Sequence, residues 1–351
     1  MINLIDVSAL IYAGHSVTTN RIPNNIRDEL NGLPVGGLRH ALDRILTLVA
    51  REEQVYCFFD SPTDKDKLYP EYKSNRKFDY NVWIQKEMCY DFLKIIGVPC
   101  IRIDGYEADD LIFAASKQLC VSPISYNCNR IHCDDADMLQ CILNETFARY
   151  PIVLSRGVVN WDNFSTVSIL GSFVDRNAMG AYLMFKGKKS NNVPSMENGT
   201  ELYKQYIEWA KENIKFEGHY GLKENVSKFI LGKYKENPDE WKLVATEYLK
   251  RMPVVFPKEY TGKFDFATKG KFALKEKDKP LFSRLVCRLQ LQTLCSSFGV
   301  ERDNDLKDVY PFTKWIKMYT TGAKQVDNDI TVDTSFFAED SKIGLDEVGG
   351  F

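Results

Sequence analysis

Apolar and polar positions alternate between two rhythms over the first 155 residues. Short unbroken apolar runs occur at Ile2–Ile5, Val55–Phe59, Pro99–Ile103, Arg130–Cys133 and Pro151–Leu154. Between the first two, residues 35–50 place Leu38, Leu42, Ile45, Leu46 and Val49 at helical spacing, and Leu111–Ala115 is the apolar start of another helix. Strands that are apolar throughout, separated by helices, predict a parallel sheet covered on both faces, an α/β fold. Each of the first four runs leads into acids: Asp6, Asp60, Asp104 and Asp134-Asp135.

Further along, residues 200–250 read as helices rich in Tyr, Trp and Lys, among them Tyr203, Tyr206, Trp209 and Trp241. Residues 253–280 carry three prolines and seven lysines and read as a long loop or hairpin, the expected internal boundary. Helical period returns over 281–297, and from about 326 the chain is polar and acidic. The expected organisation is a catalytic core over 1–195, a mainly helical nucleic-acid-binding region over 196–325 and a loosely ordered acidic tail over 326–351.

Composition narrows the class. With 44% hydrophobic and 27% charged residues among 351, the chain reads as an ordinary soluble globular protein. It has no apolar run of about 18 residues, and its start lacks a secretory signal pattern, so no membrane association and a cytoplasmic location are expected. Nine cysteines include no CxxC pair; Cys57, Cys100 and Cys133 read as small core residues in a reducing compartment, and zinc is not expected. His15, His40, His132 and His219 are scattered and read as structural or surface residues. The net charge of −2 hides an asymmetry: seven acids against Lys342 after residue 325 give that tail −6, leaving +4 elsewhere. A mildly basic body around an acidic pocket suits a protein that holds a phosphate backbone near metal ions.

The densest chemistry is Glu107-Ala108-Asp109-Asp110, at the head of an otherwise apolar helix. Glu107 and Asp110 share one helical face, with Asp109 beside them. Three carboxylates there either complement the helix dipole or hold a hard divalent cation. Asp135 and Asp137 follow a strand, and in extended chain that spacing puts both on one side. Parallel sheets gather ligands at the carboxyl ends of their strands, where Asp6, Asp60, the 107–110 cluster and Asp135/Asp137 all fall, which favours a Mg²⁺ or Mn²⁺ site. The charged insertion 61–77 is either a solvated connection or, through Tyr72, Lys73, Arg76 and Lys77, a stacking and cationic platform for single-stranded nucleic acid.

The ordered set Asp6, Phe59-Asp60, Tyr72-Lys73-x-x-Arg76, Tyr106-Glu107-Ala108-Asp109-Asp110 and Asp135-x-Asp137-x-x-Gln140 resembles the 5′-nuclease (flap endonuclease) family over roughly residues 1–195. Within it, the set is most similar to bacteriophage 5′-to-3′ exonucleases of the ribonuclease H-named type. The resemblance implies a PIN-like parallel-sheet core with an arch insertion and a helical C-terminal part. It implies a first metal held by Asp6, Asp60, Glu107, Asp109 and Asp110, with Asp135 and Asp137 helping to hold a second. Lys73 and Arg76 would belong to the arch that grips the scissile phosphate. Where the family has Gly-Asp-x-Ser-Asp-Asn-(Ile/Val)-Pro, this chain has Gly187-Lys188-Lys189-Ser190-Asn191-Asn192-Val193-Pro194. Lys188 and Asn191 thus stand at second-metal positions, one repelling a cation and the other offering a neutral oxygen. Asp175 is a nearby compensating candidate, and the glycine-rich hairpin expected next is replaced by 195–200.

The expected function is therefore a Mg²⁺- or Mn²⁺-dependent 5′-nuclease acting on DNA or RNA–DNA 5′ ends in replication or repair, in host cytoplasm if of phage origin. A nuclease-derived scaffold that binds branched or single-stranded DNA is the alternative, and a ribonuclease of similar fold a third. The tail ending in Phe351 is either a frayed end or a dock for a replication partner.

Overall fold

The computed structural model describes residues 1–21, 29–30, 33–120, 129–133, 135–141, 152–154, 157–159, 168–169, 172–173, 178–213, 222–266 and 274–289, with a few positions between 291 and 300. Asp134, Asp175, His219 and the acidic tail lie outside the described residues.

In chain order, β1 (Ile2–Asp6) runs into α1 (Val7–Arg21), a hairpin of β2 (Glu29–Leu30) and β3 (Leu33–Pro34), α2 (Gly36–Ala50) and β4 (Gln54–Phe58). Next come the one-turn α3 (Lys65–Leu68), α4 (Tyr80–Ile95), β5 (Cys100–Ile101), α5 (Ala108–Cys120) and β6 (Asn129–His132). A 3₁₀ turn at Ala136–Cys141 leads to β7 (Ile152–Leu154) and β8 (Gly157–Val159), then β9 (Ser168–Ile169) and β10 (Ser172–Phe173). The remainder is helical: α6 (Met179–Lys186), α7 (Gly199–Asn213), α8 (Leu222–Glu236), α9 (Pro238–Val255) and α10 (Lys279–Arg288).

One sheet organises the described chain, in the order β5-β4-β1-β6-β7-β8. Pairings from β5 through β7 are parallel, and β8 closes the edge antiparallel to β7. Successive strand side chains point to opposite faces, and the two cores follow that alternation. Leu4, Tyr56, Phe58 and Ile131 face a core with α5 through α9. Ile5, Val55, Cys57 and Phe59 face the other, with α1, α2, α4 and α10. Double burial is why the strands carry no polar rhythm. Asn3 in β1 and His132 in β6 are buried polar positions: the Asn3 amide donates to Glu53 Oε2 and the Gln54 carbonyl and accepts from His132 Nε2 at 2.9 Å.

Two expectations need correction. The apolar run 99–103 forms a strand only at Cys100–Ile101. Arg102 leaves the ladder to lie 4.2 Å over the Tyr90 ring and pair with Glu87 at 2.9 Å. The stretch 253–280 is not a detached loop among its described residues. Helix α9 continues through Pro253 to Val255. Beyond it Tyr260, Phe264 and Phe266 pack edge-on against Tyr106, Phe58 and Tyr56, with ring centroids 5.0–5.9 Å apart. The backbone of Phe264 also exchanges two hydrogen bonds with the Gln118 side chain. Then α10 crosses to the other face, where Phe282 stacks on Phe92 at 5.7 Å. Each sheet face is thus finished by sequence that follows residue 195.

Candidate active site

The register of the sheet sets the acids side by side. Asp6 ends β1 opposite Phe58, and Asp60 lies two residues past β4. Asp135 follows β6 by three residues, and Glu107 opens α5. The first turn of α5 explains why Glu-Ala-Asp-Asp starts a helix. Glu107's carbonyl accepts from Leu111 N, while Asp110 Oδ2 accepts from Glu107 N at 3.1 Å, a capping arrangement in which an acid three residues on satisfies the cap N–H. Asp60 Oδ1 accepts the next free donor, Ala108 N, at 3.0 Å, tying β4 to α5.

Glu107, Asp109 and Asp110 present oxygens within 4.8 Å of one another. A lysine that sequence reasoning passed over sits among them. Lys65, 3% exposed on α3, donates to Glu107 Oε2 at 2.7 Å and Asp110 Oδ1 at 2.9 Å, and lies 4.0 Å from Asp109. Glu107 also accepts from the Tyr72 hydroxyl at 2.7 Å and from Lys73. Asp110 Oδ1 takes the Lys258 backbone N–H at 2.6 Å, while the Lys258 ammonium holds Asp64 and the Gly105 carbonyl. Lys86 lies 3.3 Å from Asp60. The signal for these lysines was the charge itself: buried carboxylates packed this densely need cations.

Asp135 and Asp137 do share a side, but through the 3₁₀ turn rather than by extended-chain alternation. Lys188, 7% exposed, donates to Asp135 Oδ1 at 2.6 Å and to Asp137 Oδ2. Asn191 turns its amide nitrogen toward Asp137 at 3.5 Å, while its oxygen accepts from Arg76 at 2.9 Å.

The insertion between β4 and α4 lies folded against that turn. Lys73 N donates to the Asn191 carbonyl, Asn75 to the Lys189 carbonyl, and Arg76 Nε to the Ser190 carbonyl at 3.0 Å. Asn192 reaches back to the Glu71 carbonyl and Ser74. Tyr72, expected as a stacking platform, is 6% exposed, its ring beneath the Lys65 and Lys73 ammoniums. It walls the acidic site and leaves no open face for a base. Lys77 and Phe78 are exposed, Phe78 by 75%.

Electrostatics separate the acids. Burial, then the neighbouring Asp60 and Asp135 charges, push the Asp6 carboxyl up to about 7. Burial and the adjacent Asp110 and Glu107 likewise raise Asp109, against the pull of Lys65. Burial alone would raise Asp60 and Glu107, but Lys86 holds the first, and Lys65 with Lys73 the second, below the ordinary carboxylate range. In the other pair, burial lifts Asp137 to about 6, whereas Lys188 overcomes burial at Asp135 and keeps it low. Burial disfavours the Lys188 charge, yet Asp137 and Asp135 outweigh it and raise its pKa.

The chemistry of the donors decides what a divalent cation could find here. Asp6 feels the charges of Asp60 and Asp135, and Asp109 those of Asp110 and Glu107, so hard oxygen ligands there fit a cation. Asp6's own partners are the neutral Ala9 N–H and Cys133 thiol. The Asp135–Asp137 pair does not fit in the same way, since an ammonium already bridges it.

Residues 1–165 match the family described as 5′-3′ exonuclease, N-terminal resolvase-like domain. With acids gathered at the carboxyl ends of its parallel strands, this N-terminal part is similar to the corresponding domain of 5′-3′ exonucleases. A 5′-3′ exonuclease of Aquifex aeolicus is 27% identical over 172 residues, 47% of this chain and 56% of that protein. One from Buchnera aphidicola (Acyrthosiphon pisum) is 31% identical over 122 residues, 33% of this chain and 41% of that protein. The chain therefore spans about half the length of these curated relatives. Among solved structures, the T5 D15 protein co-crystallised with metal ions aligns at TM-score 0.45 and 12% identity, over 85% of this chain and 97% of that one. Human GEN1 in complex with Holliday junction DNA aligns at TM-score 0.48 and 13% identity, over 85% and 70%.

Proposed function

We propose that the chain is a divalent-metal-dependent 5′-nuclease, a 5′-to-3′ exonuclease or flap endonuclease that hydrolyses phosphodiesters at DNA 5′ ends. One observation carries this reading: Asp6, Asp60, the 107–110 cluster and Asp135 meet at the carboxyl ends of adjacent parallel strands, within residues of a 5′-3′ exonuclease family. Asp6, Asp60 and Asp109 would hold the cation, with Mg²⁺ the natural occupant and Mn²⁺ a tighter substitute. The chemistry a bound divalent ion would supply is Lewis acidity toward the phosphodiester and its attacking water.

The chain's own residues do the rest. Lys65 and the Tyr72 hydroxyl hold Glu107 and Asp110 in place, so the rim of the site is rigid before substrate arrives. Lys73 keeps 27% of its side chain exposed and Arg76 lies beside it, so both would meet the phosphate and offset its charge. RNA–DNA hybrids, a role in replication or repair, a phage origin in host cytoplasm, and docking of the acidic tail on a replication protein all belong to this proposal. No helix among the described residues is long and apolar enough to cross a membrane.

A second reading has its own observation: Lys188 bridging Asp135 and Asp137 favours a DNA-binding scaffold with weakened cleavage. Purified protein with 5′-labelled flap and nicked DNA, in Mg²⁺, Mn²⁺ or EDTA, separates the two. Metal-dependent release of 5′ products supports the nuclease; retarded bands without products support the scaffold.

A further inference from the structure

We propose that Lys188 is the resident cation of the Asp135–Asp137 pair, so that the chain takes up one divalent ion, beside Asp6, Asp60 and Asp109, and not a second. This deepens the nuclease reading and rests on it for the ion's purpose, but not for its number.

The ammonium is built into the backbone, not borrowed from solvent. Lys188 N donates to the Val193 carbonyl at 2.7 Å, and its own carbonyl accepts from Val193 and Asn191. The residue before it, Gly187, has φ +70°, and a Cβ there would lie 2.3 Å from the Val193 carbonyl oxygen. The turn is closed by main chain, and Lys188 is carried to the acids at its root. At 7% exposed, with one carboxylate oxygen of each aspartate on its Nζ, it fills the space a metal would need. To admit a divalent ion, the ammonium would have to withdraw while remaining tethered beside that ion, where like charges repel.

Asn191 closes the other side. Its oxygen, the atom that could ligate, is spent on Arg76, and the group facing Asp137 is an N–H donor. A donor repels a cation, so the chain offers the pair no further oxygen from this turn.

The test counts ions on the full chain without nucleic acid. Mn²⁺ is titrated into wild type, Lys188→Met and Asp137→Asn, and free Mn²⁺ is read by electron paramagnetic resonance, with circular dichroism melts confirming fold. Wild type is expected to bind one ion. Lys188→Met, which uncovers both aspartates, is expected to bind two. Asp137→Asn is expected to keep one, with affinity within about twofold of wild type. Two ions on wild type at similar affinity, or a single ion on folded Lys188→Met, overturns the proposal. Should Lys188→Met fail to fold, Asp137→Asn decides: an affinity loss of about tenfold or more would make Asp137 a metal ligand and overturn it. Because no cleavage is read, a chain that takes one ion and cuts nothing defeats the nuclease reading alone.

Discussion

The two acidic clusters answer the same electrostatic problem with opposite margins. At the head of α5, Lys65 is held between Glu107 and Asp110, whose side chains are 9% and 0% exposed. Past β6, Lys188 is equally sunk, but its partners keep 41% and 14% of their side chains exposed. The first lysine is embedded in the core of the site; the second caps a pair of which Asp135 still reaches water. A buried charge is costly to strand, whereas a half-wetted carboxylate can turn to solvent. The first cluster is therefore expected to depend on its lysine for folding, and the second, under the proposal above, for its response to cations.

Truncating each lysine tests this directly. Lys65→Met is expected to cost about 3–5 kcal/mol in urea unfolding, since it strands two buried carboxylates. Lys188→Met should cost clearly less; equal losses would erase the contrast. Next, Asp109→Asn is expected to slow single-turnover cleavage of a 5′ flap by at least about a hundredfold, roughly 2.7 kcal/mol of barrier, with its melt unchanged. Full activity in that variant would remove Asp109 from the cation site.

A smaller effect belongs to the segment that joins the clusters. Arg76→Ala loses its bonds to Ser190 and Asn191 and one phosphate partner, so the salt slope of DNA binding should fall by about one. An unchanged slope returns Arg76 to a purely structural role. The least effect at neutral pH comes from His132, which must be subtracted from any acid titration of the carboxylates. Burial, then Arg44 and Arg130, hold its pKa down at about 3, against 6.5 for a free imidazole. The folded state thus resists a proton that the unfolded state accepts, so stability is full above about pH 6.5 and falls toward pH 3. The slope in that window approaches about 1.4 kcal/mol per pH unit. His132→Gln should flatten it.

The parallel sheet and the meeting of acids were legible because double burial and strand-end ligands leave plain marks: unbroken apolar runs, the first four leading into an aspartate. Lys188 and Asn191 were legible as departures from a family pattern. The lysines that neutralise the site were not. Lys65 and Lys258 stand in segments dense with lysine, and nothing local distinguishes a buried ammonium from a solvated one. Tyr72 was misread for a related reason, since an aromatic among cations looks the same whether its ring lies inside or out. The polar stretch after Pro253 hid three packed aromatics, because alternating lysines and prolines outweigh Tyr260, Phe264 and Phe266 in any local average.

The docking of residues 71–76 on the turn at 188–192 has a mechanical consequence. Arg76 is fixed to Ser190 and Asn191, and Asp79 is fixed as the cap of α4 through its bond to Val82 N. Only Lys77 and Phe78 lie between these anchors, so the chain has no slack to lift into an aperture. Residues 71–79 thus lie closed against the turn at 188–192, held at both ends.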